Sequence, residues 1–336
     1  LKVAVEEADA SRDRDRLLGI LSRNFEQWGQ GDKFDWLYLK NPLGRARVWI
    51  LVDDMGAVAG LSAAFPRRLT AQGRTLQGWV LGDFCVDKEL RALGPALALQ
   101  RAVCEAVDRG EADVWYDFPS RSMSAVYGRM GLRPSGDLVR WVRPLRIDRQ
   151  VAERLDDGAL AKGVAFLGAG LLSARDLLER KDPSIQVEAH DQGFEILRGL
   201  RNEGDGVQLE RSAAYLDWRY RADPAGPASV LLARKDGTVV GGIVFRVRER
   251  DVAIVDLLGV AEEGVLRELV RRVVEVARSR KAERVVIGLS TKHRWVDAFG
   301  KMGFSRRDGA PYVVYARPGV LDPASPWFLM SGDRDL

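Results

Sequence analysis

Residues 35–44 read DWLYLKNPLG, and residues 217–226 read DWRYRADPAG. Asp, Trp, Tyr, Pro and Gly recur in the same order and at the same spacing, 182 positions apart. A chain that spells one supersecondary signal twice predicts two related units, and this decides the fold. Working outward, LVDDMGAVAGLSAAF at 51–65 parallels LARKDGTVVGGIVFR at 232–246. Each is an apolar run, a turn ending at Gly56 or Gly237, and a second apolar run entered through Gly60 or Gly241, the pattern of a β-hairpin. VLGDFCVDKE at 80–89 parallels IVDLLGVAEE at 254–263 as a buried strand, and YGRMGL at 127–132 parallels FGKMGF at 299–304. The order never changes, while the separation drifts by a few residues at loops. The largest drift is assigned to a longer hairpin turn around RRLTAQGR in the first copy.

Each copy reads as helix, hairpin, strand, amphipathic helix, strand, short helix, strand. The predicted fold class is α/β in the α+β sense: two tandem domains, each a mixed, mostly antiparallel sheet flanked by helices. In the first copy, PALALQRAVCEAVDRG at 95–110 predicts a helix with Pro95 at its first position and Gly110 past its end. ADVWYDFP then reads as a strand closed by Pro119, SMSAVYGRMG as a short helix and VRWVRPL as a terminal strand. The expected boundaries are a catalytic first domain over 1–147, a helical connector over 148–206 with an apolar helix near 164–172, a second domain over 207–320, and a tail over 321–336.

With 336 residues, 46% hydrophobic and 30% charged, the chain has room for two cores and is far from a disordered composition. Its net charge of +4 is small, and Arg and Lys alternate with Asp and Glu, which predicts a solvated surface and no nucleic-acid partner. Two cysteines and two histidines leave no disulfide scaffold, no zinc cluster and no His-based triad, so no metal is expected. No secretory leader is expected, and the apolar run GVAFLGAGLL at 163–172 is too short to span a bilayer. A cytoplasmic setting follows as the expectation.

Chemistry is concentrated in VDKELRALGPAL at 86–97. A buried strand ends at Val86, and Arg91-x-x-Gly94-x-Ala96 leads into the long helix. Small residues at 94 and 96 let a ligand approach the backbone, and the spare amides of a helix's first turn suit a phosphate or pyrophosphate. Cys85 reads as a buried strand residue, since nothing basic is placed to make it a thiolate.

This segment resembles motif A of the GNAT acetyltransferases, V-x-x-x-x-[QR]-x-x-G-x-[GA], with Val86, Arg91, Gly94 and Ala96 in register. SMSAVYGRMGL resembles motif B of that family through Tyr127, Gly131 and Leu132. The resemblance implies acetyl transfer from acetyl-CoA to the amine of a small-molecule acceptor by direct attack. It implies that the amides of Arg91, Ala92, Leu93, Gly94, Ala96 and Leu97 hold the pyrophosphate, and that the strand edge Phe84, Cys85 and Val86 pairs with the pantetheine. It also implies that Tyr127 protonates the leaving thiolate and that Asp83, the nearby carboxylate on the strand, takes the amine proton. Ser120 stands where the family often has Asn, and Pro95 brings no N–H to the loop.

The second copy is four residues shorter at the phosphate loop, lacks Arg or Gln at the motif position, and has Phe299 in place of Tyr127. It is expected to keep the fold and not the cofactor site, which makes the repeated decapeptide architectural. The tail PWFLMSGDRDL resembles that of tandem GNAT proteins of surface-polysaccharide synthesis, implying an amino sugar or sugar nucleotide as acceptor. Two rival readings stand beside this one: a non-catalytic acyl-CoA-binding partner protein, and a Fem-like aminoacyl transferase using charged tRNA.

Overall fold

Period-two runs of Val, Ile, Leu and Ala build the strands, and amphipathic runs build the helices that cover them. The computed structural model describes residues 3–28, 31–90, 93–146, 181–200 and 204–334. In the first half the strands are β1 (Val3–Ala8), β2 (Arg47–Asp53), β3 (Val58–Ala71), β4 (Arg74–Val86), β5 (Val114–Asp117) and β6 (Gly136–Pro144). Its helices are α1 (Arg14–Asn24), α2 (Leu93–Asp108) and α3 (Arg121–Arg129). The second half has β7 (Ile185–His190), β8 (Gln208–Leu209), β9 (Ser229–Lys235), β10 (Thr238–Val247), β11 (Asp251–Leu258), β12 (Arg284–Ser290) and β13 (Ser305–Ala316). Its main helices are α4 (Glu263–Ser279) and α5 (Val296–Lys301). The apolar helix expected near 164–172 lies outside the described residues.

The strands form one sheet in the order β1-β2-β3-β4-β5-β13-β6-β12-β11-β10-β9-β7, with β8 against β3. Read from either end, the order runs through one copy toward the middle, where the terminal strands change places. β13 of the second copy lies beside β5, pairing Val313–Ala316 with Val114–Asp117. β6 of the first copy lies beside β12, pairing Leu138–Pro144 with Arg284–Ser290. Each half therefore completes the other's sheet. β7 lies within the stretch expected to be connector, yet it edges the second half as β1 edges the first, antiparallel to the first strand of the hairpin.

Both hairpins are present, β2–β3 and β9–β10. The extra length in the first copy is strand rather than turn. β3 and β4 pair out to Ala71 and Arg74 around a two-residue turn, Gln72–Gly73, whose positive φ values (50° and 73°) are those of a tight hairpin turn. The outer end of β3 then pairs with β8 across the two halves. Helix α2 begins at Leu93 rather than at Pro95. Pro95 still sits in the first turn, where its missing N–H is not needed by the helix.

The decapeptides explain themselves in this setting. Each ends a short helix in a π-turn, closed by Lys40 N–H to the Asp35 carbonyl (2.9 Å) and Ala222 N–H to the Asp217 carbonyl (3.0 Å). Gly44 and Gly226, at φ 131° and 99°, turn the chain into the hairpin, and Ala46 and Ala228 return a hydrogen bond to the carbonyls of Tyr38 and Tyr220. The Trp36 and Trp218 rings stack with centroids 4.9 Å apart. Each indole N–H donates to the other's backbone carbonyl at 2.9 Å. The repeat is thus a pseudo-two-fold contact between the halves, with two buried reciprocal hydrogen bonds and a ring pair at its centre.

Candidate active site

β4 and β5 are parallel neighbours only over Gly78–Val80 and Val114–Tyr116. Beyond that, β4 follows β3 to Val86 while β5 stops at Asp117, so the strands part as a wedge. A bulge opposite β3 bends β4 there, with Asp83 held at φ 49° in the left-handed region. One face of the sheet packs against α2 and α3 through Leu81, Leu99, Trp115 and Tyr127. The other packs against α1 and the decapeptide helix through Leu17, Trp28, Tyr38 and Val80.

A cavity of about 340 Å³ opens at this wedge. It gathers four of the residues expected from sequence, Asp83, Phe84, Ser120 and Tyr127, with Phe25, Ser62, Gln100, Asp117, Phe118 and Arg334, which sequence reasoning did not name. Asp83 belongs to the α1 side, where it accepts hydrogen bonds from the Trp28 indole (3.2 Å) and the Tyr38 hydroxyl (3.0 Å). The Tyr of the repeated decapeptide therefore anchors this carboxylate. Its twin Tyr220 donates to Asp256 of β11 at 2.7 Å.

Tyr127 belongs to the α2–α3 side. It is buried, and its hydroxyl donates to the Asp117 carboxylate at 2.7 Å. Burial, and then the neighbouring Asp117, hold the phenol well above its ordinary pKa. Burial likewise pushes the Asp117 carboxyl up to about 6, against the opposing pull of the Tyr127 hydrogen bond. Ser120 is the N-cap of α3 and accepts from the Met123 N–H at 3.2 Å. Gln100 is 1% exposed on the inner face of α2. Its amide N–H donates to Ser62 Oγ at 3.1 Å, while its carbonyl oxygen has no hydrogen-bond partner among the described residues.

The other expected residues lie elsewhere. The Cys85 side chain packs into the core on the α1 side, where burial pushes its thiol up to about 12. Val86 packs on the α2 side. Leu93, Gly94, Ala96 and Leu97 form the start of α2 and are not among the cavity walls. A Cβ at Gly94 would meet nothing within 4 Å, so the helix start is open there. Arg91 and Ala92 lie outside the described residues. A larger cavity, about 740 Å³, opens beside the β3–β4 turn and the 195–216 segment, and none of the expected residues lines it.

Two of the missed residues had a legible signal. Gln100 is the polar member of a helix face otherwise made of Ala96, Leu99, Val103, Cys104 and Val107, and Asp117 ends an aromatic strand just before Pro119. Arg334 had none, because the tail reaches the cavity only through the tertiary fold.

The equivalent wedge in the second half is filled by the chain itself. β11 and β12 pair over Asp251–Ile254 and Arg284–Ile287 and then diverge. The tail threads the gap: Ser290 N–H donates to the Leu329 carbonyl (2.9 Å), Leu289 bridges Met330, and Gly288 N–H donates to Ser331 Oγ (3.1 Å). Arg211, Asp256 and Asp333 bolt it down as a buried ionic cluster, with Arg211 at 2.7 Å from Asp256 and 2.5 Å from Asp333. Burial opposes the Arg211 charge, but the two carboxylates hold it well above its ordinary value. The tail then crosses to the first half, where the Tyr116 hydroxyl donates to the Asp333 carbonyl at 2.9 Å. Strand β11 reaches α4 through a short link, and Phe299 is a core ring edge-on to Phe304. His293 is buried beside Phe328 of the tail.

Among the described residues no group of His, Cys, Asp and Glu could hold a metal, and no helix is long and apolar enough to cross a membrane. Residues 194–304 match the family model described as Acetyltransferase (GNAT) family, a match that falls on the second half. No curated protein sequence matches the chain. Among solved structures, a probable N-acyltransferase from Enterococcus faecalis aligns over 94% of this chain and 72% of its own, with TM-score 0.69 and 12% identity. A GCN5-related N-acetyltransferase from Anabaena variabilis aligns over 94% and 73%, with TM-score 0.64 and 15% identity. Eis1 from Mycobacterium abscessus aligns over 94% and 73%, with TM-score 0.58 and 12% identity. At these identities the likeness is one of fold, and it runs through both halves.

Proposed function

Because residues 194–304 match the GNAT acetyltransferase family model and the chain shares the fold of N-acetyltransferases, we propose that it moves an acetyl group from acetyl-CoA to an amine, with the chemistry confined to its first half. The observation that carries this is the wedge between β4 and β5. It opens one cavity to both faces of the sheet, with Tyr127 and Gln100 on one side and Asp83 on the other.

The walls fit such a donor. Among the described residues β4 pairs with β5 only over Gly78–Val80, and the diverging strands leave room for an extended amide-bearing arm. The unpartnered end of the Gln100 amide, buried at the cavity wall, has a use when a ligand amide reaches it. The open helix start at Leu93–Gly94 suits a pyrophosphate. Acetyl-CoA, when bound, supplies the activated acyl group, and the chain's own residues handle the protons. Asp83, steadied by Trp28 and Tyr38, takes the proton of the incoming amine. Tyr127 gives its proton to the departing sulfur by turning its hydroxyl away from Asp117, a rotation that leaves the ring in place. Asp117 orients that hydroxyl.

The acceptor in this reading is the amine of an amino sugar or its nucleotide-linked form, handled in the cytoplasm. Support comes from the aromatic walls Phe25 and Phe118 beside two carboxylates. A place in surface-polysaccharide synthesis rests on the tail's resemblance alone, and the structure gives the tail a packing role of its own. The two-domain assignment, with a working first copy and a degenerate second, is supported by the filled wedge and by Phe299. Calorimetry with acetyl-CoA tests the reading. The wild type is expected to bind, and an Arg91→Glu, Gly94→Trp variant to bind at least about tenfold more weakly. Absence of binding by the wild type, or identical binding by the variant, sinks it.

A further inference from the structure

We propose that Arg334 reads an anionic group on the acceptor, so that the amine accepted here belongs to a molecule that also carries a carboxylate or a phosphate. This rests on the transferase reading above and adds the class of acceptor to it.

Arg334 does not reach the cavity by chance of a loose end. The residue before it is fixed twice, by Arg211 on its carboxylate and by the Tyr116 hydroxyl on its carbonyl. The Arg334 carbonyl itself accepts from Arg219. From this anchored backbone the side chain turns into the first half's cavity, with its guanidinium 5.1 Å from the centroid of the Phe118 ring. Among the described residues the guanidinium is in no ion pair and donates no hydrogen bond, although it is only partly exposed. Asp117 draws it electrostatically without forming an ion pair, and burial lowers its pKa from the ordinary arginine value. A cation partly withdrawn from water, set over a ring and left without an ion pair is an incomplete interaction that a ligand anion completes.

The charges in the cavity are laid out for a molecule of mixed sign. Asp83 and Asp117 face the amine, and Arg334 stands over Phe118 as the opposite pole. The anion Arg334 meets is not the donor's pyrophosphate, because the first turn of α2, which would hold that group, is not among the walls of this cavity.

The test uses amines that differ by one anion: glucosamine 6-phosphate against glucosamine, and ornithine against putrescine. Initial rates with saturating acetyl-CoA should favour the anionic member of at least one pair by tenfold or more in kcat/KM, with the difference mainly in KM. Arg334→Gln should bring that ratio to within about twofold, and Arg334→Lys should restore part of it. The ratio is internal to each variant, so a change in folded fraction does not move it. Equal rates on both members of each pair, or a preference that survives Arg334→Gln, overturns the inference while leaving the transferase reading intact. Acetyl-CoA binding with turnover of none of the four amines overturns it as well. Failure of the wild type to bind acetyl-CoA overturns the reading beneath it and the inference together.

Discussion

The two halves share a frame and differ most at the wedge between the central parallel strands. In the first half it is a cavity with Asp83, Asp117 and Tyr127 on its walls. In the second it is packed with the chain's own residues 327–333, held by Arg211, Asp256 and Asp333. A wedge in a sheet leaves backbone groups unpaired, and those groups need partners. In the second half the tail supplies them, through Leu329, Met330 and Ser331. The tail that fills one wedge also carries Arg334 to the other.

The largest expected effect comes from breaking that fastening. Arg211→Ala leaves Asp256 and Asp333 buried without their cation and should cost about 3–5 kcal/mol in urea unfolding, with the tail becoming cleavable under limited proteolysis. Unchanged stability would mean that the plug is not what distinguishes the halves. Next is the contrast between Tyr127 and Phe299. Tyr127→Phe should lower kcat about 100-fold, the lower end of a general acid's contribution, with little change in acetyl-CoA affinity. The reverse change, Phe299→Tyr, should leave turnover as it was. Equal sensitivity at the two positions would place chemistry in both halves.

A smaller effect probes what the halves have in common. Trp36→Phe and Trp218→Phe each remove one reciprocal indole hydrogen bond and leave a buried carbonyl unpaired, costing about 1–3 kcal/mol. The pseudo-two-fold predicts similar losses, and thermal melts of the two variants would expose any asymmetry. The smallest is a pH effect. The folded Asp117 carboxyl sits at about 6, above the unfolded value, so the folded state holds a proton that the unfolded state releases. Stability from this group is therefore lost as pH rises from about 4 to 6, and it stays lower above that. Asp117→Asn lacks this loss and should gain on the wild type across that window, by on the order of 1 kcal/mol for a group in contact with cavity solvent. A constant gap between the two melting curves would contradict it.

Much of this was legible in the sequence. The twin decapeptides, the paired hairpins and the shortened loop before Glu263 point to two similar halves, because these features are local: turn chemistry, periodicity and loop length. Tyr127, Asp83, Phe84 and Ser120 line one cavity. What escaped depends on distant pairings. Nothing within VRWVRPL says that β6 will lie beside β12 rather than beside its own β5, since an apolar strand fits either edge. β7 lay hidden within the expected connector because its exposed positions interrupt the apolar pattern. The tail read as a family signature, when physically it is a strip of core made of Trp327, Leu329 and Met330. Asp117 had a local signal, at the end of an aromatic strand before Pro119, but only the Tyr127 hydroxyl bonded to it gives it meaning.

The exchange of β6 and β13 also has a consequence in time. A ribosome delivers β5 roughly two hundred residues before the segment Val313–Ala316 that pairs with it, so through most of synthesis the first sheet has a bare edge beside its nascent cleft. β6 in turn waits for β12. A chain interrupted before β13 lacks the strand that covers the β5 edge and one of the two neighbours of β6. The last long strand to be made thus closes the edge that the first half leaves open.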